Sequence, residues 1–563
     1  MKHIITALLV FITILQGGFS DAVWSLCGIL IILFLLFRAK KLPPMPMFIL
    51  LLLLNGVYVA SAMVYGLPFE ALAVICRIMV VSLLLFAFYN IETDITEAVF
   101  ITGMVVAVIG FAALCDLFHW EGAVVSNRLQ SVFQYANATG FFLGITAFLT
   151  RTDTKRSAYA PFFETALILT QSVGALIVYG AGWAIYLLKN KNFKFIPVLC
   201  GFAVSAFAAG TVYAILLFSP LPQLGLLPPI ILLVFRRKLS PWIDTMIQQR
   251  WFGLLGGGIC LIVASSVFFI RGFRPVATYL ERLIHIWDGL GVISRYPLGI
   301  GPGVWQFELF AHQSSLYSVA KIHSEYIAVG VDAGFLAVSV LLLSVLYWMK
   351  NKQWSEKAVC VIMTLLAAAM DIPFSFLSIT LVTIWLVALT LPKSQALPAP
   401  ARVFFLLPLT LFTIVFAQSA MKNHAVWVAL TDPPRAAEIL ARLPIQNDTD
   451  AALTRMSIYL SEDRHDLLDV VFETMPKPNT VTHAQMTRSL IRRGLYEEAA
   501  SSAIAAIESG PHRRVTADGL MEQILPNLDE ILRAEYERMV ELLIPEVNPL
   551  RRYIQAIKGE PEP

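Results

Sequence analysis

The sequence predicts an all-α, polytopic membrane protein of about 12 to 15 transmembrane helices, followed by a soluble helical domain. Hydrophobic residues make up 57% of the 563 residues and charged residues only 14%, whereas a typical soluble protein has about 25% charged residues. Apolar runs of roughly 18 residues or more recur through the first three quarters of the chain, as membrane-spanning helices require. Residues 420–563 are instead rich in charged side chains.

Basic loops between the apolar runs set the expected topology, because Lys and Arg collect on the cytoplasmic side of a membrane. Residues 156–189 and 357–392 are each an apolar stretch with basic residues at both ends. Each stretch must therefore cross outward and return, and we expect the turns at residues 170–175 and 370–375. The loops placed in the cytoplasm are residues 38–41, 151–156, 189–194, 236–238 and 350–352, with the segment around Lys393.

This topology places residues 118–135, residues 271–323 and everything after Ser419 on the outer side. We expect residues 1–419 to form the membrane domain, with 271–323 as an extracytoplasmic loop, and residues 420–563 to form an extracytoplasmic helical domain. In RRGLYEEAASSAIAAIESGP, Gly494, Tyr496 and Ala499 are spaced as in a tetratricopeptide-type helix, and Pro511 ends it. The alternative for this domain is an irregular helical tail.

The predicted outer loop begins with YLERLIHIWDGLGVISRYPLGIGPGVW. Arg282, His285 and Gly289 recur at helical spacing, and leucines and isoleucines occupy another face. This pattern predicts an amphipathic helix along the membrane surface, although a merely solvated face is the alternative for Arg282. The GIGPG turn lacks the Lys-Ser/Thr of a phosphate loop, so Gly301 and Gly303 are predicted to permit a tight turn with positive φ.

Two further segments carry candidate chemistry. His323 lies where the polar loop meets the next apolar run, and imidazole is the side chain best suited to accept a proton near neutral pH. Glu325 is the nearest carboxylate, and an interfacial anchor is the alternative role for His323. Arg128 lies at the outer interface, where an arginine either holds phosphate or reaches to the lipid head groups.

Together these segments resemble the O-antigen ligase and polymerase superfamily, multi-span glycosyltransferases that use polyprenyl-diphosphate-linked glycans. The family's hallmark is His, then Asn, Ser or Gln, nine residues and Gly-x-x-Gly. Here His323-Ser324 and Gly334 fit, and Ala337 replaces the final glycine. RLIHIWDGL…YPLGIGPGVW, RLQSVFQYANATG and AAAMDIPFSF are similar to the family's Arg-led helix and glycine turn, its Arg…Asn segment and its late Asp-containing hairpin. The resemblance covers about residues 120–390, and a C-terminal repeat-like domain is also seen in Gram-positive members.

One position departs from the family at the tip of the first predicted hairpin. The family usually has Ser-Arg-Gly at the tip of the hairpin predicted at residues 170–175, and here Val173 stands between Ser172 and Gly174. In ligases that arginine is implied in holding the donor diphosphate. The resemblance therefore leaves Arg282, with Arg128 second, to carry the charge.

The resemblance implies a GT-C-like fold and an inverting transfer, independent of metal and cofactor, from a polyprenyl-diphosphate-linked glycan to an acceptor hydroxyl. The reaction would take place at the outer face of the cytoplasmic membrane, in cell-surface polysaccharide synthesis. His323 would be the general base, and Arg282 would bind the diphosphate. The candidate substrate-binding residues are Arg128, Glu325, Gly301, Gly303, Trp305 and His285, with Trp305 stacking on sugar faces.

The partners expected are the lipid-linked donor, a glycan, wall-polymer or lipid acceptor, membrane lipids, and envelope-assembly proteins that contact residues 420–563. Nucleic acid is not expected, because the net charge is only +3 and no basic run has interleaved aromatic residues. Ligase and polymerase remain equally open. Two other classes also fit: a non-catalytic scaffold that binds the lipid-linked glycan, favoured by Val173 and Ala337, and a transporter or flippase. Few charges in the predicted spans (Arg77 and Glu164 are the main ones) and the lack of a clear repeat argue against transport.

Overall fold

The structure is a computed structural model that describes residues 2–66, 68–91, 94–190, 195–236, 274–392, 395–475, 477–513 and 515–545, with single positions at 238, 258, 550, 551 and 554. Over these residues the chain is almost entirely helical, as the sequence predicts. The strands in this part of the chain are two residues long: β1 (Lys41–Leu42), β2 (Val124–Val125), β3 (Arg128–Leu129) and β4 (Gln395–Ala396).

The first half of the membrane domain contains α1 (Lys2–Ile14), α2 (Asp21–Arg38), α3 (Met45–Val64), α4 (Phe69–Tyr89), α5 (Thr96–Leu114), α6 (Ala136–Thr152), α7 (Ala160–Leu169), α8 (Val173–Lys189), α9 (Phe195–Phe218) and α10 (Leu227–Val234). The second half contains α11 (Arg274–Arg295), α12 (Trp305–His312), α13 (Glu325–Asn351), α14 (Glu356–Met370), α15 (Leu377–Thr390) and α16 (Leu409–Ala429).

Seven helices within the described residues are long and apolar enough to cross a membrane: α2, α3, α4, α5, α13, Val198–Phe218 within α9, and Pro400–Ala429, which contains α16. The prediction of 12 to 15 spans also counted the limbs of two hairpins. Of these limbs, α7 has only 10 residues and is about 15 Å long, half of the roughly 30 Å hydrocarbon core of a bilayer. A span predicted between the basic loop at 236–238 and residue 271 lies outside the described residues.

Helix α4 connects the two ends of the bundle. At its end, Asn90 accepts hydrogen bonds from the backbone of Lys40 and Lys41 in a predicted cytoplasmic loop, and β1 of that loop pairs antiparallel with β4. At its start, the Phe69 amide donates to the Asn447 carbonyl in the C-terminal domain at 2.8 Å. The basic loop at residues 38–41 and the contact with the C-terminal domain therefore lie at opposite ends of α4.

Both predicted hairpin turns are confirmed as breaks between helices. The first turn, residues 170–172, separates α7 from α8, and the second, residues 371–376, separates α14 from α15. Ser172 begins α8 by accepting the Ala175 amide with its hydroxyl, as N-cap residues do. These two tips reach the end of the bundle that carries the predicted outer segments.

The C-terminal domain consists of α17 (Pro433–Ala441), α18 (Thr449–Ser461), α19 (His465–Thr474), α20 (Thr480–Arg492), α21 (Tyr496–Glu508), α22 (Val515–Ile524) and α23 (Glu530–Leu542). The predicted boundary at residue 419 falls inside α16, which runs unbroken into this domain. Gly494, at φ +75°, makes the turn between α20 and α21, and Pro511 begins a short 3₁₀ turn after α21. The helix is confirmed, whereas the tetratricopeptide-like repeat stays a prediction.

Candidate functional site

Helix α11 places three polar side chains on its inner face. His285 and Asp288 are each 5% exposed, and Arg282 lies one turn before His285. On the outer face, Leu283 and Trp287 are exposed. The predicted amphipathic helix is therefore confirmed, with its polar face toward the protein. An apolar face turned outward is what a helix at a membrane surface presents.

The glycine turn that follows α11 packs against a break in α13. Gly299, Gly301 and Gly303 all have positive φ, which confirms the expected reason for these glycines. The Phe335 amide donates to the Pro297 carbonyl at 3.2 Å. Gly334 has φ 77° and ψ −174°, and a Cβ there would overlap that carbonyl.

Asp371, at the tip between α14 and α15, is the centre of the candidate site. Its side chain is 1% exposed and receives Arg282 Nη2 at 3.1 Å. Tyr135 donates its hydroxyl to Oδ1 at 2.7 Å, and Asn137 donates from Nδ2 to Oδ2 at 2.6 Å. Arg282 also donates from Nη1 to the Met370 carbonyl at 2.7 Å. Three of the segments that carry the family resemblance thus meet at one carboxylate.

The first hairpin tip joins this cluster through Asn137. Ser172 donates its hydroxyl to the Asn137 side-chain oxygen at 2.7 Å, and Arg128 Nε donates to the Thr170 carbonyl at 3.0 Å. Val173 is the first residue of α8. A Cβ on the next residue, Gly174, would lie 3.6 Å from the Tyr279 hydroxyl, so the first turn of α8, which begins at the apolar Val173, borders the site.

Two histidines complete the cluster. The rings of His285 and His323 lie 5.5 Å apart between centroids, and Tyr317 packs against His285 at 4.3 Å while donating its hydroxyl to Asp288 at 2.8 Å. Burial lowers the pKa of His323 below its usual 6.5; the carboxylate of Asp371 opposes this shift, and the positive charge of Arg282 adds to it. Burial, with the charges of His323 and Arg282, lowers the pKa of His285 to about 3. Both imidazoles are therefore neutral at pH 7.

Several buried polar atoms of this cluster have no hydrogen-bond partner. They are Nδ1 of His285, Nδ1 of His323, Nε of Arg282 and the Tyr279 hydroxyl. A buried polar atom without a partner costs about 1–3 kcal/mol. Four such atoms close together indicate a place where a polar ligand or water completes the bonding.

The remaining predicted residues lie on the other side of the 321–325 segment. Gly303, Trp305 and Glu325 line a separate cavity of about 400 Å³, together with Lys321 and Asp332. Trp305 is 4% exposed and packs in an apolar cluster with Ile300, Leu309 and Ile322. Lys321 donates to the Ser375 hydroxyl at 3.1 Å, and burial followed by the nearby charge of Arg77 lowers the pKa of Lys321 to about 8.

The C-terminal domain covers this end of the membrane domain. Lys477 pairs with Glu308 of α12 at 2.5 Å, and the Arg513 guanidinium lies 4.2 Å from the centroid of Phe310. Glu70, at the start of α4, accepts the backbone amides of Thr449 and Asp450. The domain is therefore fixed to both the outer loop and a candidate span.

Comparison of the sequence with models of known protein families gives no match, and comparison with curated proteins gives none either. In the described part of the chain, no group of three or more His, Cys, Asp or Glu side chains could hold a metal ion.

The structure therefore brings together Arg282, His285 and His323, with Arg128 at the edge, and separates Glu325, Gly303 and Trp305 from them. Gly301 serves the turn. The residues that the sequence did not single out as site residues are mainly Asp371, Lys321 and Glu70. One sequence signal was available for Asp371 and Glu70, because each is a carboxylate at the end of an apolar run.

Proposed function

We propose that the protein transfers or polymerises a polyprenyl-diphosphate-linked glycan onto an acceptor hydroxyl at the outer face of the cytoplasmic membrane. The observation that carries this proposal is the cluster itself: a guanidinium and a neutral imidazole share one partly desolvated site at one end of a bundle with seven candidate spans. These are the two groups that such a reaction needs, a match for the leaving diphosphate and an acceptor for the hydroxyl proton.

Arg282 is the group that would bind the diphosphate. Met370 and Asp371 hold its two Nη atoms, so the plane of the guanidinium is fixed before any ligand arrives. Its Nε–H is buried without a partner and offers a donor to a phosphate oxygen. Asp371 is a positioning residue in this account, because it holds Arg282 Nη2 in place.

His323 is the group that would accept the proton of the attacking hydroxyl. Because its pKa lies below 6.5, it is in the basic form at neutral pH. Direct attack on the anomeric carbon, with departure of the diphosphate, inverts the configuration there. The oxygen–carbon bond to the acceptor forms as the bond to the diphosphate breaks, and the hydroxyl proton goes to His323.

A non-catalytic scaffold that binds the lipid-linked glycan is the second candidate. Asp371 pairs with Arg282 directly, and Val173 adds no charge at the tip of the first hairpin. Binding of the lipid-linked donor without turnover is the outcome that would favour this candidate.

Transport is the third candidate, and the cavity beyond the 321–325 segment favours it. Glu70, Glu325 and Asp332 lie in candidate spans and line that cavity, so the spans hold more charged side chains than Arg77 and Glu164 alone. Ionisable groups in spans often mark transport paths. Movement of a lipid or an ion across the vesicle membrane that depends on the lipid-linked donor, without any glycan product, would favour transport.

The test compares the surface polysaccharide of a strain that lacks the gene with its parent and with strains carrying single variants. The proposal predicts shorter chains if the protein is a polymerase and unattached chains if it is a ligase. Arg282→Lys at normal membrane levels should give the deletion phenotype, because the single nitrogen of lysine cannot take the three positions that Nη1, Nη2 and Nε of the planar guanidinium occupy. Unchanged polysaccharide in both the deletion and the Arg282→Lys strains would refute the proposal.

A further inference from the structure

The cavity of about 400 Å³ beyond the 321–325 segment is a built site that the catalytic cluster does not use. It lies between the outer ends of α2, α4 and α13, with the C-terminal domain at its edge. Its volume is within the range of about 300–1,000 Å³ that small-molecule pockets have. Its polar walls include Glu70, Arg77, Lys321, Glu325 and Asp332.

Two carboxylates in these walls each have one oxygen atom without a hydrogen-bond donor. Glu70 is 8% exposed, and its Oε1 accepts two backbone amides, but its Oε2 has no partner. Glu325 has a buried Oε1 that also has no partner. Both atoms require a ligand or water that donates hydrogen bonds.

Donors in the same walls lack an acceptor. Arg77 pairs with Asp21 at 2.7 Å and donates to the Phe19 carbonyl, yet its Nη1 is buried without a partner. The indole Nε1 atoms of Trp24 and Trp305 are likewise buried and unpaired. An anion alone would satisfy only the unpaired N–H groups, and a cation alone only the unpaired carboxylate oxygens. A hydroxyl both donates and accepts, so it can satisfy both.

The charge and the apolar surface of the cavity restrict the class of ligand that fits it. Its described lining contains five carboxylates (Asp21, Glu70, Glu325, Asp332 and Asp450) and three cationic side chains (Arg77, Lys321 and Lys422). The excess of two carboxylates disfavours a diphosphate. Aromatic side chains, among them Phe19, Phe69 and Trp305, form the apolar walls, and the C–H face of a sugar ring packs well on such surfaces.

We propose that this cavity is a saccharide-binding subsite that holds a neutral sugar unit of the glycan beside the His323 cluster. This inference rests on the proposed function and names a second place where that substrate is held. Lys321 and Ser375 connect the two sites, because Ser375 lines the cavity, bonds Lys321 and belongs to the same helix-to-helix tip as Asp371. A sugar in the cavity would therefore lie next to the elements that fix Arg282 and His323.

The test measures binding of free neutral sugars (glucose, galactose, N-acetylglucosamine, rhamnose and maltose) to the purified full-length protein by saturation-transfer NMR and calorimetry. At least one sugar should bind saturably. Glu70→Gln keeps the Oε1 acceptor for the Thr449 and Asp450 amides but presents an NH₂ group to the cavity. It should raise Kd about tenfold or more, as loss of a hydrogen bond to a charged group does. Trp305→Phe should raise Kd several-fold, and the exposed Glu438→Gln should leave it unchanged.

Each outcome decides the matter. No binding of any sugar at the highest soluble concentration would overturn the inference, and so would binding that Glu70→Gln and Trp305→Phe both leave unchanged. Heat of binding that depends on sodium, with no binding of sugar, would overturn the inference and indicate a cation site instead. His323→Ala should not change sugar affinity, which separates the two proposals. If wild type transfers glycan while no sugar binds, only the subsite falls. If sugar binds while wild type transfers no glycan, the proposed function falls and the cavity remains a saccharide site.

Discussion

Asp371 offers the sharpest test of how the site is held together, because its carboxylate receives donors from every side. Asp371→Asn preserves the shape of the side chain and can keep Oδ1 as the acceptor for Tyr135 and the Ile372 amide. Its new NH₂ group would then face Asn137 Nδ2 and Arg282 Nη2, which are both donors. The variant therefore loses two hydrogen bonds and leaves a guanidinium that is 13% exposed without its counter-charge.

The expected loss of stability follows from the burial of the Arg282–Asp371 pair. Breaking a buried ion pair by removing one partner typically costs about 3–5 kcal/mol, so Asp371→Asn should lower the free energy of unfolding by roughly this amount. Arg282→Met should cost a similar amount. Because both variants break the same pair, the double variant should cost clearly less than the sum, with a coupling energy of about 2 kcal/mol or more.

Unfolding in detergent, followed by tryptophan fluorescence, measures each corner of this cycle. Asp466→Asn is the control, since its pair with Arg464 has 68% and 56% exposed side chains and should contribute little to stability. Additive effects of the two site variants, or a cost for Asp371→Asn no larger than that of the control, would show that this pair does not hold the site.

Three further predictions follow from single positions. Gly334→Ala should destabilise the protein by more than about 2 kcal/mol, because its backbone conformation is essentially restricted to glycine and its Cβ would overlap the Pro297 carbonyl. Ala337→Gly in the same helix removes one buried methyl group and should cost about 1–2 kcal/mol. A melting temperature of Gly334→Ala equal to that of Ala337→Gly would contradict this. In a pH–rate profile of glycan transfer, the rate should fall on the acid side with a midpoint below pH 6.5. Burial lowers the pKa of His323, and the base is lost only when it is protonated. A midpoint of this acid limb above pH 7 would contradict the prediction. Val173→Arg should tighten binding of inorganic pyrophosphate, measured by calorimetry, since the first turn of α8 borders the cluster, and unchanged affinity would show that this position does not face the diphosphate.

Local features of the fold could be predicted from the sequence because neighbours in the chain determine them. The inner face of α11 follows from the spacing of Arg282 and His285, and the positive φ of Gly301 and Gly303 follows from a turn that needs glycine. The hairpin turns follow from basic residues at both ends of one apolar stretch. The number of spans stays a prediction, because seven helices within the described residues are long and apolar enough to cross a membrane, and a limb such as α7 has only 10 residues.

Long-range partners could not be predicted in the same way. Nothing near Asp371 in the chain shows that Tyr135 and Arg282 reach it from segments 236 and 89 residues away. Trp305 was predicted to stack on sugar faces, but its place directly after the glycine turn does not show which cavity it lines. The packing of that turn against the break in α13 places Trp305 in the second cavity, which depends on contacts with α4 that spacing cannot show.

The most direct test of the central claim is the transfer rate of purified His323→Ala with a polyprenyl-diphosphate-linked glycan donor, beside wild type and the exposed His424→Ala. Loss of the proton acceptor should lower the rate by about 10²–10⁴-fold, with donor binding kept and His424→Ala as active as wild type. Transfer by His323→Ala at the wild-type rate would contradict the account. In the described structure the only other imidazole beside Arg282 is that of His285, and its pKa of about 3 makes it a poor base.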